Sequence, residues 1–207
     1  MSFFMDIISV IIGFLVMLNP FALFLYLKPV MEDLPTPQFF RVFVRASIIS
    51  FLIFLFFLLL GDFIFRKVFQ IYFESFRIFG GIILFSFAYL FIVKGQRGFI
   101  QIKEDLDDLA SEIALPFMVG AGTISLTILM SDQLMIYESI LALLIIMLVN
   151  FVFVWGLKEI RQRLKSKKIK VAFDKNLDIL TRINGFFVGA IGIDMVLRGI
   201  QNLFLQG

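Results

Sequence analysis

Five stretches of this chain run for 16 to 21 residues without a single charged side chain: Ile7–Leu27, Ala46–Gly61, Ile78–Val93, Ile113–Ser131 and Ser139–Leu157. A sixth, about Ile179–Leu205, holds only Arg182, Asp194 and Arg198. A helix crosses the hydrocarbon of a bilayer in about 20 residues. The shorter runs reach that length when flanking Lys and Arg side chains snorkel to the headgroups, and Val42–Val44 extends the second run backwards past Arg45. The runs are continuous rather than alternating, so they predict helices and not barrel strands. Composition points to the same solvent. Of 207 residues, 60% are hydrophobic, 29 are Phe and only 17% are charged, against about 25% charged in soluble domains. A soluble helical bundle is the weaker reading, and disorder is excluded.

Cys and His are both missing. Disulfides, thiol chemistry, zinc sites and His-based acid–base catalysis are therefore excluded, and no cofactor or metal is expected. The net charge of +3 sits beside the spans and reads as a topology signal rather than as nucleic-acid binding. No basic region precedes the first run and Asp6 lies just before it, so this end is read as a span and not as a cleavable signal. Leu205-Gln206-Gly207 carry no weight in the functional reading.

Lys and Arg set the expected orientation. The connections 1–2, 3–4 and 5–6 hold Lys28, Arg41 and Arg45, then Lys94, Arg97 and Lys103, then nine more from Lys158 to Arg182. The other face has Arg66, Lys67, Arg77 and Arg198. The basic face should be cytoplasmic and both termini outside, as expected of a multi-pass protein of a prokaryotic cytoplasmic (inner) membrane. Lys103–Glu112 is acidic and Arg161–Lys175 strongly basic; both read as solvated, the latter facing anionic lipid.

The spans fall into two sets of three. Arg77-Ile78-Phe79-Gly80 opens span 3 and Arg182-Ile183-Asn184-Gly185 opens span 6. Each then reaches a basic residue followed by Gly, Lys94-Gly95 and Arg198-Gly199. Span 1 is interrupted by Asn19-Pro20, and span 4 by Gly120-Ala121-Gly122 after Pro116. Three is odd, so a second copy inserts upside down. The expected fold is an all-α integral membrane protein of six transmembrane helices, built as two inverted three-helix repeats with helices 1 and 4 broken at mid-span. Repeat 1 covers residues 1–103, and an acidic cytoplasmic linker, 104–112, follows it. Repeat 2 covers 113–207, with a basic cytoplasmic loop at 158–178.

The breaks carry the chemistry. Pro20 removes a backbone donor and leaves the Val16 carbonyl without its helical partner. Asn19 can bond its own backbone or a ligand, and Gly120 and Gly122 permit angles closed to other residues. Helix N-termini attract a carboxylate and carbonyl-rich ends an ammonium, so a zwitterion fits a site with no fixed charge. The expected binding residues are Asn19, Pro20, Phe21, Ala22, Gly120, Ala121, Gly122 and Thr123. Phe21, Ala22 and Phe117 would limit side-chain size, and Ser125 adds a hydroxyl.

These motifs resemble those of the MarC family, which includes the SnatA-type small neutral amino acid transporters of the LysE superfamily. The resemblance rests on Asn19-Pro20, on Pro116 with Gly120-Ala121-Gly122-Thr123-Ile124, on Arg77-Ile78-Phe79-Gly80-Gly81 and on Arg182-Ile183-Asn184-Gly185. Ala121 stands where the family has proline, and Phe21-Ala22 where x-Gly is common. The resemblance implies a six-span inner-membrane protein that moves glycine, alanine or similar small neutral amino acids.

Inside span 6, Asp194 is a candidate for proton coupling, with Arg198 one turn on as its partner; Arg45 is a candidate for gating. Asn150 and Asn184 are expected to bond between helices, Asn184 being the one nearer a cavity. Glu138 is expected to meet water. Gly80, Gly81, Gly185 and Gly189 are expected to permit close packing. An ATP-driven pump is excluded, because Gly95 and Gly98 flank no Gly-Lys-Ser/Thr. An intramembrane enzyme would need a catalytic cluster the sequence does not offer. A nontransporting scaffold and an exporter of another small solute or metal ion, as in the LysE superfamily, are the alternatives to an amino acid carrier.

Overall fold

A computed structural model describes residues 2–94, 113 and 118–205. Every regular element among them is helical: α1 (Ser2–Leu18), α2 (Pro20–Asp33), α3 (Thr36–Phe63), α4 (Phe73–Lys94), α5 (Ala121–Gln133), α6 (Ile136–Arg163) and α7 (Lys167–Leu205). A π-helical turn, Ile64–Val68, prolongs α3. Five spans are long and apolar enough to cross a membrane, α1 and α2 counting as one, and α5 is a shorter apolar helix. Large apolar side chains such as Tyr137, Leu148, Phe186, Leu197 and Phe204 point outward. Such a surface is stable only in lipid, and the chain is an integral multi-pass membrane protein.

The stretch 158–178, expected as a loop, is almost wholly helical: only Leu164, Lys165 and Ser166 separate α6 from α7. No Gly or Pro lies between Gly156 and Gly185, and Lys, Arg, Leu and Ile sustain a helix beyond the apolar run. The acidic stretch 104–112 lies outside the described residues. Partners for the basic segment come instead from α2 and from α7 itself. Asp174 accepts from Lys28 at 2.7 Å and Arg161 at 2.8 Å, and Arg161 also reaches Glu32 at 2.7 Å.

Those ion pairs mark one end of the bundle, where α2 and α6 finish and α3 begins. At the opposite end Phe65 and Phe73, flanking the turn from α3 to α4, pack on Ile128 of α5. The α2 and α5 helices therefore point to opposite ends, and both start in the interior. Between the ends lies one large apolar core, with Phe14, Phe24, Phe39, Phe43 and Phe54 fully enclosed.

The tightest seam joins α4 to α7, which run antiparallel. Gly185 lies beside Ile92, Gly189 beside Ala88, and Gly199 beside Ile78 and the Glu74 carbonyl. At the centre a methyl group on Gly192 would sit 2.7 Å from the Gly81 carbonyl oxygen and 2.9 Å from the Phe85 nitrogen. Backbone meets backbone here, the approach that small residues make available to membrane helices. At one end of the seam Arg182 donates to the Ile92 carbonyl at 3.0 Å and pairs with Asp178.

Candidate functional site

Helical backbone stops at Leu18 and resumes at Pro20. Asn19 between them adopts a left-handed conformation (φ 45°, ψ 70°), which Asn tolerates better than other residues with a side chain. Its Oδ1 accepts from the Ala22 N–H at 3.2 Å, so Asn19 caps α2 while Pro20 fills the first helical position. The Leu23 N–H returns to the Asn19 carbonyl at 3.0 Å. Of the first-turn donors, these contacts leave the Phe21 N–H unused.

The Val16 carbonyl, deprived of a donor by Pro20, receives one from another helix. Asn184 Nδ2 of α7 donates to it at 2.8 Å. Asn184 thus makes the interhelical bond expected of it. Asn150 does not: it is completely buried on α6, and neither its Oδ1 nor its Nδ2 finds a partner among the described residues. The same is true of Asn19 Nδ2, on a residue only 2% exposed. The identity of that atom is fixed by geometry, since turning the amide would set its NH2 against the Ala22 N–H. Ser125 Oγ is likewise buried and unpartnered among the described residues.

The second interruption is partly in view, as Pro116 and Phe117 lie outside the described residues. Gly120 is extended (φ −122°, ψ 170°) and precedes α5. Thr123 closes the turn, its Oγ1 accepting from the Gly120 N–H at 2.9 Å and lying within bonding distance of the Gly120 and Met118 carbonyls. That hydroxyl is committed to local backbone. A methyl group on Gly120 would have no described residue within 4 Å, whereas one on Gly122 would collide with Leu84. Leu84 packs with Met17, two residues before Asn19, and with Leu126 of α5. The two interruptions thus border one cluster. Ala22 is buried, and half-buried Phe21 sets its ring edge-on to Phe153 of α6 at 5.1 Å. Ala121 is the first residue of α5.

The other expected residues lie elsewhere. Asp194 and Arg198 pair at 2.8 Å on the outer side of α7, with side chains 55% and 63% exposed, away from both interruptions. Arg45 is exposed on α3. Glu138, expected to meet water, is buried and accepts from the Met135 N–H at 2.9 Å, capping α6. Sequence reasoning missed Lys158. Counted only as the start of the basic cytoplasmic loop 158–178, it is 2% exposed, with its Nζ 3.2 Å from Thr36 Oγ1, 4.7 Å above the Trp155 ring and 5.5 Å from Phe39. Trp155 one turn earlier is the signal that a cation–π contact was available.

The model of the family described as MarC family integral membrane protein matches residues 4–204. The chain belongs to the MarC family. Similar relatives include UPF0056 membrane proteins of Pyrococcus horikoshii, 27% identical over 97% of this chain and 96% of the relative, and of Aquifex aeolicus, 26% identical over 95% and 92%. The UPF0056 membrane protein YhcE of Escherichia coli is 29% identical over 71% of this chain and 69% of its own length. No solved structure matches the chain. In this MarC-family chain, then, two helices start inside the bundle and face opposite ends, beside a buried amide donor with no acceptor among the described residues.

Proposed function

We propose that the chain is a secondary transporter of small neutral amino acids, glycine and alanine foremost, which bind between the starts of α2 and α5. The observation that carries this reading is Asn19. Its Nδ2 is a buried donor without an acceptor among the described residues, and an unsatisfied buried donor costs about 1–3 kcal/mol. A carboxylate placed there would satisfy it, together with the Phe21 N–H of α2 and the first-turn N–H groups of α5. Neither interruption carries a fixed charge, so a zwitterion is favoured over an ion. The broken helices and the opposed directions of α2 and α5 support two inverted repeats, and alternating access follows from one half rocking against the other. The basic end that holds Lys28 and Arg161 is assigned to the cytoplasm of a prokaryotic inner membrane, with both termini outside. Drive comes from the solute gradient or from protons.

Purified protein in proteoliposomes tests the reading. Radiolabelled glycine and alanine should exchange, while glutamate and lysine should not. Flux of neither small amino acid rejects the substrate. Repeating the assay across set pH gradients, with and without Asp194→Asn, decides coupling: indifference to pH removes the proton, and an unchanged pH response in the variant removes Asp194.

A further inference from the structure

Among the described residues, Asn150 is the side chain with two buried polar atoms that both lack a partner; Asn19, Ser125 and Thr181 each leave one. Ser50, Thr127 and Ser139 spend their hydroxyls on backbone carbonyls, and Asn184 gives its amide to Val16. Asn150 has zero exposure and two unpartnered amide atoms among the described residues. Its neighbours a turn away on α6, Ile146, Met147 and Val154, all belong to the apolar core. An amide held bare in such surroundings is expensive, and a role as interhelical glue would have given it a partner.

Register places it at the depth of the site. The α2 and α6 helices run side by side in the same direction, with Phe21 against Phe153 and Glu32 against Arg161. This alignment sets Asn150 within about a turn of the depth of Asn19. The two amides differ in what they offer. Asn19 Oδ1 is occupied by the Ala22 N–H, so Asn19 can only donate. Asn150 has both a free acceptor and a free donor.

We propose that Asn150 is the second half of the solute site, its Oδ1 accepting from the ammonium group while Asn19 Nδ2 donates to the carboxylate. This rests on the amino acid reading above and extends it: the site measures the spacing of the two charged groups with two neutral amides, and it requires N–H bonds on the amine. A quaternary amine, which has none, gains nothing from Asn150.

The test measures binding of glycine and of N,N,N-trimethylglycine to purified protein in detergent, by titration calorimetry. Wild type should prefer glycine. Asn150→Leu should weaken glycine binding by at least about tenfold, the loss of one hydrogen bond to a charged group, and leave trimethylglycine little changed, so that the preference collapses. The variant should melt no lower than wild type, because it removes an unsatisfied amide. Asn150→Ser serves as a second variant should Leu fail to fold, with the same collapse expected. Unchanged glycine affinity and preference in the variants overturns the assignment of Asn150 alone. Wild type that neither binds nor carries glycine or alanine overturns the amino acid reading and this site with it. Binding without flux overturns transport and leaves the site standing.

Discussion

The α4–α7 seam and the paired helix starts at Asn19 and Gly120 both bring small residues into the interior, and they use them in opposite ways. Along the seam Gly81, Gly185, Gly189, Gly192 and Gly199 are all consumed by contact, with Gly81 and Gly192 meeting backbone to backbone. At the helix starts Asn19 leaves a polar atom bare among the described residues, as does Asn150 midway along α6, and Gly120 has no described neighbour where a Cβ would stand. A satisfied interface holds two halves of a bundle together. An unsatisfied one invites something to complete it. Smallness alone does not separate the two regions; the unmet hydrogen bond does.

Substitutions can break that contrast, and the largest effect belongs to the seam. Gly192→Leu has no side-chain escape, because the obstacles are the Gly81 carbonyl and the Phe85 nitrogen. Overpacking a tight core costs about 1–3 kcal/mol and more against fixed backbone. Loss of monodisperse protein on size exclusion is expected, and a variant that melts like wild type would show that the seam is loose.

Gly122→Ala comes next. Its clash is with the Leu84 side chain, so a melting scan should show destabilisation of about 2 kcal/mol, partly restored in the Gly122→Ala/Leu84→Ala double variant. Simple additivity of the two changes would mean that they do not meet.

Asn184→Leu tests whether the break at Pro20 is sealed from α7. It leaves the Val16 carbonyl bare, at a cost of about 1–3 kcal/mol, whereas Asn150→Leu should cost nothing. Equal costs for the two asparagines would erase the distinction between glue and site.

The smallest effect is expected at Gly120→Ala. The backbone there is extended and no described residue obstructs the methyl, so thermal stability should stay within about 0.5 kcal/mol of wild type. A larger loss would place a packed surface against Gly120.

Local chemistry was readable in advance where one residue dictates it. Pro20 and Asn19 announce an interruption because Pro lacks a donor and Asn tolerates left-handed backbone. The glycines of α4 and α7 announce close packing. What escaped the sequence depends on partners far along the chain. Whether Asn184 or Asn150 finds a bond turns on which helix lies opposite, and nothing local separates the two. Lys158 reads as one more basic loop residue until Thr36, Phe39 and Trp155 enclose it. Asp174 and Glu32 become anchors for Lys28 and Arg161 only once α2, α6 and α7 converge. The 158–178 segment misled because charge density resembles a loop, although its residues are good helix formers.

The most direct trial of the carrier reading compares wild type with Asn19→Gly in glycine-loaded proteoliposomes, by counterflow of radiolabelled glycine. Glycine accepts the left-handed backbone at position 19 and loses only the amide. Wild type should exchange, and the variant should assemble yet show a KM at least about tenfold higher. Exchange with an unchanged KM in Asn19→Gly, or none in wild type, would contradict a solute held at the start of α2.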